Sequence, residues 1–178
     1  MGGKWLRITT EENAIDYLEK AADFIQGSDK FRWKWVAISL HAALYAFAIC
    51  ALYGTNPDCV LSERKKRTMG RNLISFKEAL GRCQQSSHML FWVQSKVLTL
   101  SSDEIWAIDK LSQTLRNNFE HYQPKSWSIE VSGMPLIVKH VCRVIRFLVL
   151  ESGNLRAVPL TEQRRMKRAF AILEQNIG

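Results

Sequence analysis

The chain has 178 residues, of which 47% are hydrophobic and 24% charged, and its formal net charge is +8. This composition excludes a disordered chain, and the length lets one domain bury a core without disulfides or a structural metal. The basic balance favours a polyanionic partner, either nucleic acid or an acidic membrane surface. We therefore expect a single domain over residues 1–178.

The start of the chain predicts an amphipathic helix. Thr9 and Glu12 have the spacing of a capping box, apolar residues then recur at helical intervals, and Gly27 ends the segment. The first 20 residues lack the apolar core of a secretory signal, which predicts a cytosolic protein. The cysteines form no C-x-x-C pair and are expected to be free thiols of the core: Cys50, Cys59, Cys83 and Cys142.

An almost continuous apolar run occupies residues 35–53. Its length is near that needed to span a bilayer. The central helix of a bundle is also apolar on all sides, and we interpret the run in that way, with no membrane partner. A membrane-associated protein built around this run is the alternative. His41, within the run, is interpreted as a core histidine.

Residues 54–70 lose the helical periodicity and predict a basic loop. We expect its cations to contact an RNA backbone: Arg64, Lys65, Lys66 and Arg67. A second basic cluster lies near the end of the chain: Arg164, Arg165, Lys167 and Arg168. For both clusters, a solvated charged face is the alternative. Apolar spacing then predicts a short helix over about residues 73–80 and one more over residues 86–94.

A second capping box, Ser101 with Glu104, opens a longer helix. Pro124 disfavours helical geometry at the residue before it, so this helix should stop there. Residues 127–131 alternate with a period of two, which predicts a short extended segment.

Two more helices complete the chain. Pro135 begins one of them, Gly153 ends it, and Thr161 caps the last helix. Together these elements predict an all-α fold, an up-and-down bundle of five or six helices. The sequence contains no Gly-rich phosphate loop and no paired-cysteine zinc spacing, so neither a cofactor nor a metal is expected.

The segment Arg116–His121 combines residue types that suit RNA cleavage. Such cleavage without a metal requires a base for the 2′-hydroxyl, an acid for the leaving oxygen and positive charge near the phosphorane. Histidine transfers protons near neutral pH, and arginine binds phosphate through its planar fork. On a regular helix Asn117 lies about 40° from His121, whereas Arg116 lies about 140° from it. Either the helix is distorted there, or a second copy of the chain completes the site.

A simpler interpretation of the same segment is a surface ion pair. Arg116 and Glu120 are four residues apart, a spacing that stabilises a helix by a few tenths of a kcal/mol. The dipole at the end of a helix also favours His121 without any catalytic role.

The segment Arg116-Asn117-Asn118-Phe119-Glu120-His121 resembles the R-x4–6-H signature of the HEPN superfamily, including the polar residue that commonly follows the arginine. The Leu-His-Ala-Ala-Leu run at residues 40–44 is similar to part of that family's long second helix. The resemblance implies a helical bundle and a metal-independent endoribonuclease. It also implies that His121 transfers protons, that Arg116 stabilises the phosphorane and that Asn117 orients either the pair or the phosphate.

The resemblance further implies a homodimer in which two motifs form one composite cleft, with RNA as substrate. HEPN enzymes act as toxins or antiphage effectors, so a cognate antitoxin is an expected partner. Some HEPN toxins carry a tyrosine two residues after the histidine, where this chain has Gln123, with Tyr122 beside it. Silencing by adenylylation is therefore not implied. The alternative is a non-catalytic HEPN-like module that binds RNA, a nucleotide or a protein partner.

Overall fold

A computed structural model describes residues 3–54, 56–62, 72–120, 124, 126, 128–155 and 158–177. The helices in these residues are α1 (Thr10–Gln26), α2 (Arg32–Tyr53), α3 (Phe76–Cys83), α4 (Ser86–Met89), α5 (Ser102–Asp109), α6 (Asn117–Glu120), α7 (Met134–Arg146) and α8 (Leu160–Gln175). A first π-helical segment, Lys110–Arg116, joins α5 to α6, and a second, Phe147–Glu151, extends α7. The predicted all-α class is confirmed.

Helix α2 is the centre of the bundle. It packs against α1, α3, α4, α7 and both π segments, and twelve of its 22 residues are buried. By length and composition α2 is apolar enough to cross a membrane, since an 18-residue window has a mean hydropathy of 1.9. Of that window, 67% is buried within the protein. Burial by the surrounding helices supports the interpretation of α2 as a core helix.

Both predicted capping boxes form, and they fix where two helices begin. The amide of Glu12 donates to Thr9 Oγ1 at 3.1 Å, and the amide of Thr9 donates to Glu12 Oε2 at 2.8 Å. Ser101 and Glu104 make the same reciprocal pair, at 2.8 and 3.3 Å. Each pair satisfies two amides that the first turn of a helix leaves without partners.

The connection after the second π segment fastens the carboxyl end of α2 to the rest of the bundle. Asn154 is buried, and its amide donates to the carbonyls of Ala51 at 3.1 Å and Met89 at 3.0 Å. The hydroxyl of Ser95 donates to Asn154 Oδ1 at 2.7 Å. Gly153 has a φ of +76°, and a Cβ at this position would lie 2.7 Å from the carbonyl oxygen of Gln94. The turn therefore requires glycine.

Some boundaries differ from the sequence-based expectations. The short helix over residues 86–94 is limited to one turn, and α8 begins at Leu160 after Pro159 rather than at a Thr161 cap. Residues 128–131 are not paired in a β-ladder. The isolated β-bridge among the described residues joins Leu61 and Leu73. Ile129 packs against the core while Val131 is exposed, although a period of two would place them on the same side.

Candidate functional site

Arg116 and Asn117 lie where the first π segment passes into α6. Both side chains are half-buried, and Nη1 of Arg116 donates to Oδ1 of Asn117 at 3.1 Å. The buried side chains of Leu111 and Leu115 hold the π segment against the core. Its hydrogen bonds run from residue i to i+5, an arrangement that often occurs at functional sites. The helix is therefore distorted as far as Arg116. It is regular again at Asn117, which has α-helical backbone angles.

His121 lies outside the described residues, as do the loop residues Arg64, Lys65, Lys66 and Arg67. The approach of His121 to Arg116 and the contact of the basic loop with RNA therefore remain predictions. In the second basic cluster, Arg165 is engaged by α1, because its Nε donates to Glu19 Oε1 at 2.9 Å. Its Nη1 donates to Glu162 at 2.7 Å, so much of its charge is neutralised within the protein.

His41 of α2 feels the charge of Arg116, a coupling that the sequence did not predict. The imidazole is half-buried rather than fully enclosed in the core, and its ring lies 4.4 Å from the ring of Phe76, centroid to centroid. Burial, together with the positive charge of Arg116, lowers the pKa of His41 to about 4. The imidazole is therefore neutral at pH 7, where it is a weak proton acceptor.

Tyr45 completes the wall against which His41 packs. It lies one turn after His41 on α2, its ring meets Phe76 edge-on at 5.9 Å, and its hydroxyl donates to the carbonyl of Ile74. Burial and the nearby carboxylate of Glu78 raise the pKa of Tyr45, so the phenol keeps its proton near neutral pH. These contacts fix the rings of Tyr45 and Phe76, which limits the rotamers open to His41.

The arrangement supplies a fixed cation. A guanidinium stabilises negative charge that develops on a phosphate, whereas an imidazole with a pKa of about 4 is too weakly basic for efficient general base catalysis near pH 7. The thiols of Cys50, Cys83 and Cys142 do not add a nucleophile, because burial raises their pKa to about 12. Among the described residues, no group of three or more His, Cys, Asp or Glu side chains is placed to hold a metal ion.

Two cavities open at opposite ends of α2. The one near its carboxyl end has a volume of about 460 Å³, and its lining includes three carboxylates, those of Glu11, Glu12 and Glu162. Negative charge of this kind repels a phosphate. The other, of about 370 Å³, lies at the amino end, where Lys34 of α2 meets Phe119 of α6. The amino end is therefore the better match to a polyanion.

Comparison of the chain with models of protein families, with curated proteins and with solved structures gives no match. The likeness to the HEPN superfamily therefore depends on the residues that carry it, Arg116, Asn117 and His121. The function is argued below from the chemistry of the Arg116 site.

Proposed function

We propose that the chain is a metal-independent endoribonuclease of HEPN type, with Arg116, Asn117 and His121 as its catalytic residues. The observation that carries this proposal is the junction of the first π segment with α6. There the guanidinium of Arg116 donates to Asn117 at 3.1 Å, and its positive charge acts on His41 of α2, the helix that packs against the π segment. A fixed cation meets one requirement of phosphodiester transesterification, and the proposal assigns the proton transfers to His121.

The reaction begins when a general base removes the proton of a ribose 2′-hydroxyl. The 2′-oxygen then forms a bond to phosphorus, and the guanidinium of Arg116 stabilises the pentavalent phosphorane. The bond from phosphorus to the 5′-oxygen breaks, and a general acid protonates that oxygen. The products are a 2′,3′-cyclic phosphate and a 5′-hydroxyl. The step consumes no water and uses no metal.

The two proton transfers need two groups, and one HEPN motif contains one histidine. On the proposal, His121 of one chain and His121 of a second copy fill both roles in a composite cleft at a dimer interface. His41 of α2 replaces neither of them, because its pKa of about 4 makes it a weak base near pH 7. The proposal extends to a cytosolic toxin or antiphage effector controlled by a cognate antitoxin.

One assay tests the chemistry directly. Wild-type protein and the variants Arg116→Ala and His121→Ala are incubated with mixed RNA in EDTA, and the cleavage rates are compared. Loss of one group that stabilises the transition state reduces a rate by about 100-fold or more. Arg143→Ala is the matched control, since this arginine is exposed on α7 and its ion pair, at 3.9 Å, is with Glu104 in the first turn of α5. If His121→Ala cleaves RNA as fast as the wild type, the ribonuclease proposal is lost.

The second candidate function is a module that binds RNA without cleaving it. It is favoured by the low basicity of His41, whose pKa of about 4 makes it a weak base at pH 7. Binding of intact RNA with no product after prolonged incubation supports this candidate over the first.

A further inference from the structure

The segment Lys30–Trp35 alternates cations with aromatic rings, in the order Lys-Phe-Arg-Trp-Lys-Trp. Each cation lies over the ring that follows it: Lys30 Nζ is 5.5 Å from the centroid of Phe31, Arg32 Cζ is 5.2 Å from that of Trp33, and Lys34 Nζ is 4.6 Å from that of Trp35. These three successive cation–π pairs place aromatic rings and positive charges side by side at the start of α2.

Part of this segment lines the groove at the amino end of α2. Phe31, Trp33 and the two lysines form one side, and Phe119 with Ile129 and Val131 forms the other. The volume of about 370 Å³ is within the range of ligand sites in proteins. Phe31 is 56% exposed, so its ring is available to a ligand, whereas Trp33 is partly buried against the core.

The described residues that line the groove carry positive charge, because they include Lys30 and Lys34 and no carboxylate. Among the carboxylates that flank these residues in sequence, Asp29 accepts the amide of Phe31 at 2.7 Å and thereby caps the turn that leads into α2. Glu130 accepts the hydroxyl of Ser132 at 2.5 Å. Cations beside exposed rings are the composition with which proteins bind single-stranded nucleic acid, because bases stack on the rings while phosphates pair with the cations.

The groove and the Arg116 site lie along the same two helices. Lys34 and His41 are seven residues apart on α2, which places them about 20° apart around the axis and about 10 Å apart along it. Phe119, on the groove, is one turn after Arg116. An RNA strand that runs along this face of α2 to Arg116 therefore passes the groove.

We propose that this groove binds a nucleotide of single-stranded RNA next to the one at Arg116. The base stacks on Phe31 and Trp33, and its phosphate pairs with Lys30 and Lys34. The position of the nucleotide relative to the cut rests on the proposed ribonuclease function, whereas its binding does not. The occupant is a single strand, because bases must be unstacked from one another before they stack on a side chain.

A membrane surface is the competing occupant, since aromatic residues with lysines also occur at lipid interfaces. The shape of the site favours RNA. Phe31 and Trp33 share a groove of about 370 Å³ with Phe119 and Ile129, and Trp33 is partly buried against the core rather than protruding from the protein.

Fluorescence anisotropy with a labelled, mixed-sequence single-stranded RNA tests the proposal, with the RNA 2′-O-methylated so that it has no 2′-hydroxyl to attack the phosphate and binding is measured without cleavage. Phe31→Ala is expected to weaken binding roughly 5- to 150-fold, the range for loss of one stacked base. Phe31→Tyr keeps the ring and should restore wild-type affinity. Lys34→Gln should weaken binding and reduce its dependence on salt, and Lys139→Gln, on the exposed face of α7, is the matched control.

The remaining outcomes separate the proposals. If Phe31→Ala binds RNA as tightly as the protein with Phe31 does, the groove proposal is overturned. If the same variant also no longer sediments with phosphatidylserine vesicles, the groove is instead a membrane-binding surface. Equal affinity for double-stranded and single-stranded RNA also overturns it. If Phe31→Ala weakens binding while His121→Ala leaves cleavage intact, the groove stands and the ribonuclease assignment falls. Circular dichroism confirms that each variant is folded.

Discussion

The pKa of His41 makes the stability of the protein depend on pH in a calculable way. Its folded value of about 4 lies below the ordinary value of 6.5, so the unfolded chain binds the proton more tightly. The contribution of His41 is therefore complete above about pH 6.5 and is lost as the pH falls toward 4. Between about pH 7.5 and pH 5, the shift corresponds to a loss of about 2 kcal/mol in the free energy of unfolding.

The perturbation is His41→Gln, which removes the titrating group. Urea unfolding of wild type and variant at both pH values gives the free energies. Because other groups titrate equally in the two proteins, we expect the wild type to lose about 2 kcal/mol more than the variant. His88→Gln is the control, since that histidine lies on α4, away from Arg116.

The role of Arg116 has its own readout. Removal of this cation in Arg116→Met should raise the pKa of His41 without restoring it fully, because burial is the larger cause. Titration of the imidazole by NMR measures the change. Equal pH dependence in wild type and His41→Gln, or a His41 pKa near 6.5 in the wild type, would refute the burial of His41 beside Arg116.

Three further changes test other parts of the structure. Asn117→Ala should reduce RNA cleavage about 5-fold or more with little change in stability, since it removes one hydrogen bond that orients Arg116, and paired rate and melting measurements check this. Asn154→Ala should lower the free energy of unfolding by about 2–3 kcal/mol in urea, because it leaves buried carbonyls without donors. Gly153→Ala should lower it by more than about 1 kcal/mol, and an unchanged melting temperature would contradict the positive φ and the close approach to Gln94.

Local signals in the sequence predicted much of the fold. The capping boxes at Thr9 and Ser101 depend on residues three apart, so both could be recognised without tertiary information. The apolar run at 35–53 likewise predicted the central helix, because burial on all sides leaves no polar face. The π segment was not predicted, since Leu111 and Leu115 keep α-helical spacing and nothing in that pattern marks a change to i→i+5 bonding.

The site was only partly predictable for a different reason. His41 and Arg116 are 75 residues apart in sequence, and only the packing of α2 against the first π segment brings them together. The alternation of cations and rings over Lys30–Trp35 is local in sequence, but its spacing does not say which surface the rings line. Its significance comes from Phe119, which closes the groove from a distant part of the chain.

The continuity of α2 sets the geometry of any bound strand. Lys34 and His41 belong to one unbroken helix that is clamped along its length, so the two cannot shift relative to each other. On the two proposals, a base chosen in the groove is held at a constant offset from the scissile bond. Cleavage maps of a random RNA pool would then show nucleotide bias at one position flanking the cut, at a distance from it that α2 fixes.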